Sequence, residues 1–263
     1  MARLNLGLSG HERVIEIHHC REGRIEQQFE NEFFYLMPGD LSITVRRNAV
    51  KEYFFPLRHY HGTTIVLDIP DISEEFICLM NAVSVKPLKV VSELCADQTC
   101  RIFRADGRIA HIFSELYDIP ENIRVSFLKL KIMELFLILS DMDETKNDAA
   151  QSPLSNAQVQ LAHRAEELLR RNLSRHMTIQ EAADSMNVSP TNLKQAFRGV
   201  YGMPVYSYVR VLKMQAAALE LCRTDKPVME VAGEYGYENG SKFSVAFRKI
   251  MGESPSDYRR NHR

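Results

Sequence analysis

Apolar and polar positions alternate along residues 12–70, and after that the period changes. "RVIEIHHC" alternates, "EGR" turns the chain, and "RIEQQFENEFFYLM" runs to Pro38-Gly39-Asp40, a good turn sequence. "LSITV", "EYFFPL" and "TTIVLDI" follow as further short runs. Several short strands at this spacing predict a small barrel or sandwich. From Ser73 the texture is helical in "SEEFICLMNAV", "PLKVVSELC" and "DGRIAHIFSELY", with "TCRIFRA" as a strand among them. Pro120-Glu121 then opens a helix over about 121–140, with proline near its start and an acidic residue in its first turn.

That last helix carries Val125, Leu128, Ile132, Leu135 and Leu139 on one stripe, and Phe127, Leu130, Phe136 and Leu137 elsewhere. A helix apolar over so much of its girth needs partners on more than one side. Burial against the strands supplies one; the other is either also covered within the chain or is a dimer seam with a second copy. Residues 141–157, "DMDETKNDAAQSPLSNA", are polar, acidic and free of aromatics, as an interdomain linker is. Helical sequence continues from there to residue 263.

The C-terminal part repeats itself. "TIQEAADSMNV" (178–188) overlays "PVMEVAGEYGY" (227–237), and "PTNLKQAFRGVYG" (190–202) overlays "GSKFSVAFRKIMG" (240–252). Ala183 matches Ala232, Phe197 matches Phe247, Arg198 matches Arg248, and Tyr208 and Tyr258 keep the register. This is a twofold repeat of helix, tight turn and helix. Small residues at 183 and 232 let the second helix cross the first closely. Asn187 and Gly236 stand where each first helix stops and a positive φ is tolerated. Ser189 before Pro190 reads as an N-cap with proline at the first helical position.

In the second helix of each repeat the spacing separates two faces. Leu193, Ala196, Phe197 and Val200 are expected inside, as are Phe243, Ala246, Phe247 and Ile250. Thr191, Lys194, Gln195 and Arg198 face out from the first copy, and Ser241, Ser244, Val245 and Arg248 from the second. An outward face without carboxylates is what a reader of the DNA major groove needs. Between the copies, "YSYVRVLKMQAAALELCR" forms a helix about 27 Å long. A spacer near that length can set two recognition helices in successive major grooves, about 34 Å apart.

Charge supports this division. The net charge is −1, yet residues 155–263 hold 16 Lys+Arg against 11 Asp+Glu, while the preceding 154 hold 17 against 23. The basic half suits a polyanionic partner. Five scattered cysteines without a CxxC pair argue against a disulfide framework or a four-thiolate zinc site. The N-terminus lacks the apolar run of a secretory signal. The most apolar stretch, "SFLKLKIMELFLILS", is broken by charges and too short to span a bilayer, so a cytoplasmic location is expected.

Two helix-turn-helix units joined by a long helix, ending "GYENGSKFSVAFRKIMGESPSDYR", closely resemble the AraC/XylS-type transcription regulators over about 158–263. Asn187 departs from the glycine common at that turn. The resemblance implies binding to double-stranded DNA through both recognition helices, and an activator that contacts RNA polymerase. It also implies a cupin-like N-terminal β-barrel that senses a small molecule or dimerises; "EIHHCREGRIEQQFENEFFYLMPGDLSI" is similar to such a domain, though more weakly. By position, Thr191, Lys194 and Gln195 fall where the family reads bases, as do Gly240, Ser241 and Val245. Asn192, Arg198, Lys242, Ser244 and Arg248 complete the candidate DNA contacts. Gly240 offers no side chain and Val245 only apolar contact, so the second helix is expected to add more affinity than specificity.

In the β half His18, Tyr35, His59 and His61 are the effector-binding candidates. "HYH" at 59–61 resembles the HxH of metal-binding cupins, but "GTTIV" follows where a carboxylate ligand is usual. No metal, cofactor or catalytic residue is assigned. The expected architecture is α+β and multidomain. A cupin-like sensor or dimerisation domain (1–140, barrel about 12–70, helices about 73–140) precedes the linker (141–157) and an all-α domain (158–263). The all-α domain holds helix-turn-helix units at about 178–200 and 228–251, joined by a helix at about 205–222. The expected function is a sequence-specific, effector-responsive regulator acting as a homodimer, and not an enzyme. Its rivals are a cupin-type metal enzyme tethered to a DNA-binding domain, and a regulator whose barrel only dimerises.

Overall fold

A computed structural model describes residues 14–29, 32–45, 52–95, 100–116, 119–142, 153–175 and 177–263. The chain forms two compact units, Met1–Pro153 and Leu154–Arg263.

The first unit contains strands β1 (Val14–Gly23), β2 (Ile25–Phe29), β3 (Glu32–Leu36), β4 (Leu41–Val45), β5 (Glu52–Phe54), β6 (Tyr60–Asp68) and β7 (Arg101–Phe103). One antiparallel sheet has the order β6-β1-β4-β7, and a second pairs β5, β2 and β3. The run "RIEQQFENEFFYLM", read as β without an internal turn being marked, is a hairpin: Ile25 pairs with Leu36 and Phe29 with Glu32. Among the described residues the strands form two sheets, with no closed barrel.

The period of two in β1 separates two environments. Ile15 and Ile17 join Leu41, Ile43 and Leu67 in a core with helices α1 (Glu74–Ala82), α2 (Pro87–Leu94), α3 (Gly107–Glu115) and α4 (Arg124–Ser140). Cys20 faces the other way, into a cluster with Ile25, Phe29, Phe34, Leu36 and Ile102 that joins the two sheets. Ser73 caps α1 by accepting from the Phe76 amide, and Asp106 caps α3 by accepting from Arg108 and Ile109.

The α4 stripe is buried only in its later turns. Leu135, Phe136 and Leu139 are fully inside, whereas Val125 is 68% exposed and Leu130 58%. A 3₁₀ turn (Glu121–Ile123) precedes α4 where the sequence predicts helix, because no side chain caps its first amides. The expected linker lies mostly outside the described residues, which omit 143–152. No described helix is long and apolar enough to cross a membrane.

His19 yields a prediction. Its ring stacks on Phe113 with centroids 4.2 Å apart, and neither ring nitrogen has a hydrogen-bond partner. Burial pulls its pKa from 6.5 to about 4. Between those values the unfolded chain binds the extra proton, so stability rises with pH through that window. The contribution is complete above pH 6.5 and is lost as pH falls to about 4. Urea unfolding near pH 7.5 and near pH 5 should differ by about 2 kcal/mol from this residue. His19→Phe should remove that difference, and an unchanged pH profile in the variant would contradict the assignment.

The second unit is helical: α5 (Asn156–Arg171), α6 (Ile179–Ser185), α7 (Pro190–Tyr201), α8 (Val205–Arg223), α9 (Val228–Glu234), α10 (Gly240–Met251) and α11 (Pro255–His262). Ser155 with Gln158, and Thr178 with Glu181, form capping boxes that start α5 and α6.

Candidate nucleic-acid interface

Each recognition helix is built by the same local rules. Asn187 (φ 55°) and Gly236 (φ 80°) take the left-handed conformation after α6 and α9. The next amide then returns to the first helix, Val188 to the Ala183 carbonyl at 3.1 Å and Tyr237 to the Ala232 carbonyl at 2.9 Å. Ala183 and Ala232 are fully buried. Ser189 caps α7 through the Asn192 amide, and Asn239 caps α10 through the Lys242 amide. Gly202 and Gly252, both left-handed, end these helices by donating to the Arg198 and Arg248 carbonyls. Asn187→Ala should cost about 1–2 kcal/mol in urea unfolding, because alanine is strained at positive φ, and Asn187→Gly should be close to neutral.

Aromatic anchors hold the helices to their supports. The ring of Phe197 meets Tyr208 of α8 edge-on at 5.3 Å and 75°, and Phe247 meets Tyr258 of α11 at 5.5 Å and 82°. The Tyr208 hydroxyl donates to Glu166 at 3.0 Å, which ties α8 to α5. Arg259 of α11 donates to the Leu221 and Lys226 carbonyls, so the basic tail is partly a fastening of the fold.

With one face anchored, the other is displayed. Leu193, Ala196, Phe197 and Val200 of α7 are buried, while Thr191, Asn192, Lys194, Gln195 and Arg198 are exposed. In α10 Phe243 and Phe247 are buried, and Ala246 and Ile250 only half-buried. Ser241, Lys242 and Arg248 are exposed, Ser244 is half-buried, and Val245 is 72% exposed. Gly240 begins α10 against Met229: a Cβ there would lie 2.2 Å from the Met229 sulfur. Position 240 therefore excludes a side chain unless Met229 moves.

Among the described residues the charges on these faces have no close internal partner, and Arg248 acts only from a distance on Asp257. Glu166, Glu167, Glu220 and Glu234 engage Arg170, Arg171 and Lys226. Lys194, Arg198, Lys242, Arg248 and Lys249 form no ion pair or side-chain hydrogen bond among the described residues. Neither α7 nor α10 contains a carboxylate.

The four effector candidates do not share one face. His18 on β1 is buried and contacts Glu16 and Thr64 at 2.9 Å and Tyr53 at 3.2 Å. Tyr35 lies in the other sheet, donates to Glu26 and carries the Arg24 guanidinium over its ring. Burial raises the pKa of Glu26. His59 and His61 are exposed, His59 just before β6 and His61 as its second residue, opposite Glu22 of β1. No group of three His, Cys, Asp or Glu among the described residues is placed to hold a metal.

A family profile described as a helix-turn-helix domain matches residues 182–261. The HTH-type transcriptional activator AarP of Providencia stuartii is 31% identical over 88 residues, 34% of this chain and 65% of that protein. Regulatory protein SoxS of Escherichia coli K12 is 32% identical over 83 residues, which are 32% of this chain and 78% of SoxS. The chain belongs to the AraC family of transcription regulators. Its AraC-type domain is also similar to a solved structure, the C-terminal domain of AraT, a response regulator from Geobacillus stearothermophilus. That likeness has 33% identity and a TM-score of 0.37, over 38% of this chain and 84% of that one. The matches span just under two thirds of AarP and of the transposon Tn10 TetD protein, 65% of each. For this AraC-family chain, the exposed faces of α7 and α10 are the candidate DNA-reading surfaces.

Proposed function

We propose that the chain is a sequence-specific transcription activator that reads duplex DNA with α7 and α10. The observation that carries this reading is the pair of anchored helices whose outward faces hold unpaired cations and no carboxylate. Gln195 suits adenine and Lys194 suits guanine or a phosphate. Val245, an apolar residue 72% exposed, suits a thymine methyl. Arg198, Lys242 and Arg248 serve the phosphate backbone, and Thr191, Asn192, Ser241 and Ser244 lie beside them.

The first unit is assigned a regulatory role as a cupin-like sensor that also dimerises and, with DNA bound, lets the protein contact RNA polymerase. Exposed Val125, Leu130 and Leu137 on α4 support a pairing surface. Gln27 of β2 supports an effector: it is fully buried, and its amide nitrogen has no hydrogen-bond partner. A polar ligand enclosed there, with His18 the one candidate whose neighbour Tyr53 stands opposite Gln27, would shift the protein only by differential affinity for its two states.

The test is selection of genomic fragments by the purified chain near physiological salt. Two short sequence elements about one helical turn apart are expected. Fragments without a shared motif, with and without cell metabolites, would refute the reading. Arg248→Gln should weaken binding to all sequences alike and lower the salt slope of log K by about one.

A further inference from the structure

The second unit holds a cleft of about 380 Å³ that none of the assigned DNA contacts lines. It runs along one side of α8, between the ends of α5 and α6 and the turn at Gly236-Tyr237. Leu169, Ile179, Val205 and Val209 give it an apolar wall. Two cations of α8, Arg210 and Lys213, also line it.

Both cations are incompletely satisfied. Lys213 is only 9% exposed, and its ammonium donates to the Tyr235 carbonyl at 2.9 Å. An ammonium has three donors, and no carboxylate among the described residues pairs with this one. Arg210 keeps its Nε buried with no acceptor among the described residues. Burial lowers the pKa of Lys213, as expected of a cation without a counter-charge. Placing a positive group against an apolar wall is costly unless an anion joins it.

We propose that this cleft binds a small organic carboxylate with an apolar body, its carboxylate on Lys213 and Arg210 and its hydrocarbon against the wall. Arginine suits a carboxylate because two parallel N–H groups can meet its two oxygens. A cleft mostly apolar with a few convergent donors is the usual form of a small-molecule site. The occupant would touch α6, α8 and the turn that leads into α10, elements of both helix-turn-helix units.

The experiment titrates the full chain by calorimetry with benzoate, 2-naphthoate and octanoate, each beside its uncharged alcohol. At least one acid should bind at one per chain, with its alcohol at least tenfold weaker. Lys213→Met and Arg210→Gln should each weaken that acid at least tenfold. Arg223→Gln, on α8 outside the cleft, should not. Circular dichroism and melting of both variants verify that they remain folded; Lys213→Met keeps the stem and removes the buried charge together with its hydrogen bond to the Tyr235 carbonyl. If no acid binds at millimolar concentration, or if both cleft variants bind it unchanged, the proposal is overturned.

Discussion

Phe197→Ala is expected to remove about 3–5 kcal/mol from the stability of the second unit, the largest effect of any single change considered. The side chain is fully buried, with its ring 4.4 Å from Tyr201 and 5.3 Å from Tyr208. Truncation leaves a cavity at the junction of α7 and α8 and also breaks two aromatic contacts. A unit of this size is stable by roughly 5–15 kcal/mol, so at least about a fifth of the margin would go. Urea unfolding followed by circular dichroism should show an earlier helical transition, and DNA binding should fail at lower temperature than in the parent. Phe247→Ala is expected to match it, since Phe247 is equally buried and meets Tyr258 in nearly the same geometry. A loss below about 1 kcal/mol would mean that α7 is held by something other than this anchor.

The second large effect concerns specificity. Lys194→Ala with Gln195→Ala should erase sequence preference in the half-site read by α7 while leaving the other half-site legible. Each bidentate base contact discriminates by about 1–3 kcal/mol, so with two such contacts gone the best site should lose roughly thirtyfold to ten-thousandfold over other DNA. Both side chains are exposed, and neither supports the fold through a hydrogen bond or ion pair among the described residues, so folding should be unaffected. The readout is fragment selection with the double variant. An unchanged motif would remove α7 from the reading surface, whereas loss of both half-sites would show that the two helices bind as one cooperative unit.

The DNA-reading half was largely legible because its signals are local. Helix periodicity separates Phe197 from Lys194, and Ser189-Pro190 starts a helix wherever it stands. The one departure from the usual turn residue, Asn187, adopts the left-handed backbone, as Gly236 does in the second copy. Where the sequence reading was incomplete, a distant partner decides. The stripe of α4 has the same period at Val125 as at Leu139, yet only the later turns are fully buried. In the β half, alternation marks two faces but does not say which is inside or which strand comes alongside. The hairpin of β2 and β3 and the separation of His18 from Tyr35 into different sheets were therefore not readable.

The sequence by itself determined the repeat, the caps, the two turns and the carboxylate-free faces, since each depends on residues within a few positions of one another. Tertiary structure alone decided that His19 stacks on Phe113, that Lys213 is buried beneath Tyr235 and that Arg259 fastens α11 to the carbonyls of Leu221 and Lys226. Those contacts join residues 22 to 94 positions apart. Period and turn chemistry carry no record of such partners, because the desolvation and pairing that define them exist only once the chain has folded.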